Sequence, residues 1–406
     1  MPDRELSLSQ AAWNAFADKL KEVGEKITAP TGAQNERERA EGYRYLVRMI
    51  SAGHELAMEV NRSHPELRPW VTPTRKLRGD GPDTLYHEAR LDEKMAYRLS
   101  VRRGDDIYFS ATVYAYLEDR GYTIVDHLHD HEIVWQHVFG QQIADIQFSA
   151  ERLDGAENWI RLAGPKPLLF VRQYYPECVR AVQAGRYREA VLNMECLSDV
   201  ETPPPYSEKA FADELNQLIE YIEEGTDASI GLSVFAGLNR VEYKKKAEAG
   251  RRVEATHIRE GELVVEGAHS DDLAPEDLAA MLDPRLIGNN LPGPGLQYIG
   301  AWFHLREDEA ILIEGHHVPC RYWCCQILTR YMESGDYRYH TVSLNDRQVK
   351  RANDNAFRIY ASPTNPGVEN WFSTQGYQNG HILLRVLLPE TPMEAKFSVV
   401  KIADIP

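Results

Sequence analysis

Three groups of residues in this chain have the types and spacing that chemistry requires. The densest titratable run is Asp126-His127-Leu128-His129-Asp130-His131-Glu132, with His137 close by. On an extended strand, alternation puts His127, His129 and His131 on one face, where imidazoles two residues apart can meet a single transition metal. The second group is Asp83 and Tyr86 in the stretch Gly81-Pro82-Asp83-Thr84-Leu85-Tyr86. An aspartate whose pKa is raised by burial can pass a proton beside a phenol, whereas an aspartate at a turn can equally cap backbone N–H groups. The third is Arg172 and Arg385, each near the end of an apolar run and each followed by a Pro-Glu pair, Pro176-Glu177 and Pro389-Glu390. A guanidinium taken into a core must find an acceptor. That acceptor is either an internal carboxylate or an anionic ligand group held bidentately.

Asn158-Trp159 and Asn370-Trp371 form a further pair of candidates. A Trp beside an Asn at a strand start is either a core anchor with its indole N–H satisfied locally, or a stacking platform next to an amide donor. In the second half of the chain His316-His317 and His340 are the available imidazoles, with His317 taken as a ligand-binding candidate.

The positions of these residues reveal the organisation. Glu157-Asn158-Trp159 recurs as Glu369-Asn370-Trp371, and Gly81-Pro82 with Tyr86 recurs as Gly293-Pro294 with Tyr298, both 212 residues apart. A period this long means two homologous domains, because a solenoid unit spans only ~20–50 residues. The copies differ at one place. Gly295-Leu296-Gln297 stands where the first copy has Asp83-Thr84-Leu85, so a single catalytic site is expected in the first copy.

Helical periodicity predicts helices over 7–28 and 36–62, and Pro65, Pro69 and Pro73 end that region. The runs 97–101 and 107–114, separated by Arg103-Gly104-Asp105-Asp106, predict a hairpin; strands follow at 144–150, 157–163 and 167–175. Between the copies the pattern predicts helices near 178–192 and 207–224 and a short one after Pro275. Strands near 298–304, 309–314, 321–331, 355–361 and 381–387 complete the second copy. The expected architecture is α+β and mainly β: a helical segment 1–70, a β-sandwich 71–177, a helical insert 178–285 and a second sandwich 286–406.

Composition narrows the partners. The formal net charge of -16 opposes nonspecific attraction to nucleic acid or anionic lipid. The start of the chain lacks the pattern of a secretory signal, and no segment offers ~18 uninterrupted apolar residues for a membrane span. Five cysteines cannot all pair, which favours reduced thiols and a cytoplasmic location.

The segment Gly81-Pro82-Asp83-Thr84-Leu85-Tyr86, followed by Leu91-Asp92, resembles the Asn-x-Asp-Thr-x-Tyr signature of family 1254 among the domains of unknown function. Arg321-Tyr322-Trp323, then Asn370-Trp371-Phe372-Ser373-Thr374-Gln375-Gly376-Tyr377 and Leu384-Arg385, resemble companion family 1214. Gly81 stands where the first family usually has Asn, and Tyr377 where the second often has His. The resemblance implies paired Greek-key or jelly-roll sandwiches and no settled activity. Jelly rolls also invite comparison with cupins, whose first metal motif places a Gly before two His and a Glu. Here only two residues separate His129 from Glu132, fewer than in cupins, and no second cupin motif follows. No metal is therefore expected at His127, His129 and His131, with a divalent ion as the alternative.

These residues predict a protein that binds and transforms a small, partly apolar molecule, by hydrolysis or by a proton-transfer lyase or isomerase step. No organic cofactor is expected, since no phosphate loop or nucleophile elbow is present. The rival readings are a non-catalytic carbohydrate or small-molecule binder and a cupin-like metalloenzyme.

Overall fold

A computed structural model of the chain describes residues 6–29, 32–237, 253–259, 262–265, 285 and 288–406. Four helices are present among them: α1 (Leu8–Thr28), α2 (Glu36–Gly53), α3 (Arg180–Gln183) and α4 (Glu208–Gly237). Ser7 and Gln10 form a reciprocal cap on α1, and the Asn35 side chain accepts from Glu38 N–H at the start of α2. Rather than running to residue 62, α2 ends at Gly53 and widens into one π-helical turn, His54–Met58.

The first sandwich contains β1 (Arg68–Pro69), β2 (Thr84–Arg90), β3 (Tyr97–Arg102), β4 (Tyr108–Leu117) and β5 (Gly121–His129). It continues with β6 (Gln136–Val138), β7 (Gln141–Ser149), β8 (Asn158–Arg161), β9 (Leu168–Tyr174) and β10 (Val191–Cys196). One sheet has the order β1-β2-β9-β4-β5; the other runs β10-β3-β7-β6, with β8 parallel to β7. Side chains at alternate positions, among them Phe109, Ala111, Val113 and Val171 from one sheet and Leu99, Ile146 and Phe148 from the other, fill the space between.

The second sandwich contains β11 (Val253–Arg259), β12 (Glu262–Val265), β13 (Leu296–His304), β14 (Glu309–His316) and β15 (Tyr322–Leu328). It is completed by β16 (Ser343–Asn345), β17 (Ala356–Ser362), β18 (Trp371–Ser373), β19 (Asn379–Leu387) and β20 (Ala395–Lys401). Its sheets run β12-β11-β13-β19-β15-β16 and β18-β17-β14-β20. The chain is thus α+β and mainly β, with two jelly-roll-like sandwiches in tandem.

Register confirms the duplication residue by residue. Tyr86 lies opposite Arg172 across β2 and β9, and Tyr298 lies opposite Arg385 across β13 and β19. On the next strand Ser110 faces Arg172 and Cys324 faces Arg385. Strands β8 and β18 each add in parallel, with Trp159 beside Gln147 and Trp371 beside Tyr360.

Three expectations are corrected. The runs at 97–101 and 107–114 are not a hairpin: β3 pairs with β7 and β10, while β4 pairs with β5 and β9. Their short link crosses from one sheet to the other, held by the Arg103–Asp106 ion pair at 2.9 Å. The helix expected over 178–192 is a single turn stopped by Gly185 at φ 75°, after which 191–196 forms β10. The first sandwich therefore extends to Cys196, and β11 and β12 add to the second one from within the segment expected to be a helical insert. The helix expected after Pro275 lies outside the described residues.

The helices cover the outer face of the first sheet. Tyr45, Met49, Leu215, Leu218 and Ile222 pack with Tyr86, Tyr114 and Phe170, so this face is buried although it is rich in polar groups. No described helix is long and apolar enough to cross a membrane.

The repeated Asn residues are backbone clamps. Asn158 accepts from Val134 N–H at 2.7 Å and donates to the carbonyls of Val134 and Asp145, both at 3.1 Å. Asn370 accepts from Lys350 N–H at 2.8 Å and donates to the carbonyls of Lys350 and Arg358. Asn158→Ala is expected to lower stability by ~2 kcal/mol or more, because a buried backbone pair loses its partner. Asn370→Ala, at a half-buried position, should cost less, and paired thermal melts would reverse this reading if the order came out the other way.

Candidate functional site

Along β4 the sandwich takes Phe109, Ala111 and Val113, which leaves Tyr108, Ser110, Thr112 and Tyr114 on the outer face. The same alternation puts Tyr86, Glu88 and Arg90 outward on β2, and Phe170, Arg172 and Tyr174 on β9. The equivalent face of the second sandwich carries Tyr298, Arg385, Tyr322, Cys324 and Gln326. The two faces meet where Tyr108, Tyr174, Tyr322, Cys324 and Leu387 pack together.

At this junction each domain sends its arginine into the other. Arg172 donates from Nη2 to the Leu291 carbonyl at 2.8 Å and to the Tyr114 hydroxyl at 2.9 Å. Arg385 donates to the Gly79 carbonyl and, at 3.4 Å, to Gln326 Oε1. Gly79 and Leu291 stand 212 residues apart and both adopt positive φ, 74° and 52°. The contacts are therefore reciprocal, related by an approximate twofold. In each copy the glycine before the strand donates its N–H to the tyrosine hydroxyl: Gly81 to Tyr86 at 3.0 Å and Gly293 to Tyr298 at 3.2 Å. Gly81 also leaves room for the arginine. A Cβ there would lie 2.5 Å from Arg385 Nη1.

Neither guanidinium has a carboxylate partner among the described residues, although Arg172 is only 3% exposed and Arg385 4%. Their acceptors are carbonyls, an amide and a phenol, Arg172 lies 4.5 Å from the Phe170 ring, and its Nη1 has no hydrogen-bond partner. Thr112 Oγ1, on the neighbouring strand, is likewise buried without a partner. Tyr174 sits among both arginines, Tyr86 and Tyr298, and burial raises its pKa well above the usual phenol value.

Asp83 lies at the same junction with different partners. Its Oδ2 accepts from the Tyr322 hydroxyl and from Asn345 Nδ2, both at 2.8 Å and both from the second sandwich. Burial raises its pKa above 3.8 against the opposing pull of those two donors. Asp83, just before β2, and Tyr86, on it, thus share a junction, but each bonds to its own partners. The asymmetry between the repeats at this point reflects an interdomain contact that only one copy can make.

The remaining candidates fall elsewhere. Trp159 and Trp371 are half buried, with indole N–H groups donated to Ser149 at 3.0 Å and Ser362 at 2.8 Å. His317 accepts from the Trp323 indole at 2.9 Å, and burial followed by Arg351 lowers its pKa. His316 and His340 are exposed. In the histidine run β5 ends at His129, so strand alternation does not carry on to His131. Glu132 instead turns back, and its carboxylate comes within 4.8 Å of the ligand atoms of His127 and His129. Burial, and then His127, lower the His129 pKa to about 4. The sequence did not mark Tyr174, Tyr298 or Tyr322 as site residues, although Tyr298 recurs from Tyr86 and Tyr322 lies in the Arg321-Tyr322-Trp323 stretch.

A separate cleft of about 410 Å³ opens over the far end of β2, beside the π-helical turn, lined by Glu55, Glu59, Arg68, Glu88, Arg90 and Glu214 among others. Its charges have partners. Glu88 lies 3.2 Å from Arg90, Glu66 2.7 Å from Arg68, and Glu55 2.7 Å from Arg75.

No family model matches the sequence, and no curated protein does. The fold is similar to that of an uncharacterized protein from Burkholderia cenocepacia, with a TM-score of 0.77 and 24% identity over 98% of this chain and 99% of that one. A protein from Vibrio parahaemolyticus aligns over 88% of this chain and 98% of its own at 15% identity, with a TM-score of 0.45. The first likeness is one of fold.

Asp83 yields a test with a defined sign. The unfolded chain ionises this group near 3.8 and the folded one only at higher pH, so rising pH favours the unfolded state. Denaturation measured from about pH 4 upward should show the parent losing stability relative to Asp83→Asn, whose carbonyl can still accept from Tyr322 and Asn345. Parallel curves would mean that Asp83 is ionised throughout.

Proposed function

We propose that this protein binds a small, partly apolar carboxylate between its two sandwiches and transforms it by proton transfer without an organic cofactor. The observation that carries the proposal is the pair of buried guanidiniums. A permanent charge taken from water without a counter-ion costs several kcal/mol, and a ligand carboxylate reaching Arg172 Nη1 would offset part of that cost. The surrounding rings of Phe170, Tyr174 and Tyr298 would accept the apolar part. Asp83, whose pKa burial raises, and the tyrosine hydroxyls are the groups able to move a proton.

The cleft beside the π-helical turn is a weaker candidate, since Glu55, Glu66 and Glu88 already face arginines. A carbohydrate platform at Trp159 or Trp371 is weaker too, since both indoles are tied to serines. The order of the sequence signatures, together with the two sandwiches, supports grouping the chain with families 1254 and 1214 of the domains of unknown function. The five unpaired cysteines support a reducing, cytoplasmic location.

A thermal-shift screen with aliphatic and aromatic carboxylates tests the reading. A ligand at about 100 times its Kd should stabilise the protein by ~2.7 kcal/mol, and Arg172→Gln or Arg385→Gln should remove that gain. Stabilisation that survives both substitutions would place the ligand elsewhere. If a hit is turned over, Asp83→Asn is expected to lower the rate by ~10²-fold or more; an unchanged rate in a folded variant would remove Asp83 from the mechanism.

A further inference from the structure

The end of β5 gathers metal-ligand chemistry that the guanidinium junction does not use. His127 and His129 occupy alternate positions of one strand, so their rings lie on one side, with centroids 4.7 Å apart. The chain then turns sharply, Glu132 N–H donating to the His129 carbonyl at 2.9 Å. The turn is locked in return, because His129 N–H donates to Glu132 Oε2 at 2.8 Å. One ligand atom from each of the three residues falls within 4.8 Å of the others.

A second observation concerns how His129 is held. Its Nδ1 lies 2.5 Å from the hydroxyl of Tyr108, itself 1% exposed, which leaves Nε2 for a further ligand. A histidine oriented through its second nitrogen by a buried hydroxyl is the outer-shell arrangement that metal-binding imidazoles use. The charges around it are sorted accordingly. Asp130 is paired with Arg103 at 2.6 Å and Arg321 at 2.7 Å, and Asp126 accepts the N–H groups of His127 and Arg161. Glu132 has no lysine or arginine partner among the described residues, so the oxygen that does not hold the His129 N–H is open to a cation.

We propose that His127, His129 and Glu132 bind one divalent first-row transition ion. Two imidazoles and one carboxylate suit zinc, iron, manganese or cobalt, whereas magnesium and calcium prefer all-oxygen shells. Three protein ligands on one side leave the other positions open to water or substrate. Bonds of ~2.0–2.2 Å put ligand atoms about 3–3.5 Å apart, so the trio must close by ~1 Å. Exposed Glu132 and half-buried His127 can do this by side-chain rotation alone. His131, stacked on His129 at 5.4 Å and exposed, is not a ligand.

The test uses the full chain, stripped with chelator and titrated with Co²⁺, with Zn²⁺ as competitor. Visible absorption should saturate at one equivalent, and elemental analysis after gel filtration should find one ion per chain. His127→Ala should weaken binding ~10²-fold or more and Glu132→Gln ~10-fold, with circular dichroism unchanged. Tyr108→Phe should weaken it ~10-fold and shift the cobalt spectrum, because it frees the His129 ring while removing no ligand. His131→Ala should leave affinity as it was. The site is refuted if binding does not saturate, if His127→Ala binds as tightly as the parent, or if His131→Ala alone abolishes binding, which marks ordinary surface histidine capture.

Discussion

The architecture turns on two arginines that cross. Arg172 and Arg385 each leave the centre of their own sheet and end on a backbone carbonyl of the other domain, Leu291 and Gly79. A guanidinium buried this deeply must be given acceptors, and it dictates much of what surrounds it. Gly81 leaves it room, and left-handed backbone at Gly79 and Leu291 turns the receiving carbonyls inward. The tyrosines beside it supply a polar lining that does not neutralise it.

This junction accounts for the unusual outer faces of the two central sheets. In a sandwich standing alone, the outward positions of a strand meet water. Here Tyr108, Tyr114, Tyr174 and Tyr322 point outward and are buried, because a second sandwich and the helices α2 and α4 lie over them. Such faces must satisfy hydrogen-bonding groups without solvent, and they do so mostly by pairing across the domains, as Asp83 does with Tyr322 and Asn345. Arg172 Nη1 and Thr112 Oγ1 are left buried without hydrogen-bond partners.

Duplication followed by docking also explains how alike sequences serve unlike ends. The Asn clamps, the serine-bound tryptophans and the glycine-to-tyrosine bonds recur because each sandwich needs them for its own closure. Asp83 and the His127-His129-Glu132 turn occur once. An approximate twofold brings equivalent surfaces together, yet one copy supplies the carboxylate and the other the donors.

Periodicity and repetition determined the two sandwiches, ten of their twenty described strands and the equivalence of Tyr86 with Tyr298 and Arg172 with Arg385. These features are local: alternation follows from the pleat, and shared spacing follows from shared ancestry of the two halves. The sequence could not assign partners. That β3 and β4 enter different sheets, that 191–196 closes the first sandwich, and that Glu132 rather than His131 joins His127 and His129 all depend on where the chain goes next. The reciprocal arginine contacts bridge positions more than a hundred residues apart, Arg172 to Leu291 and Arg385 to Gly79. Only tertiary packing decides which buried charge meets which carbonyl, because that choice is set by the docking of two finished domains and leaves no period in either.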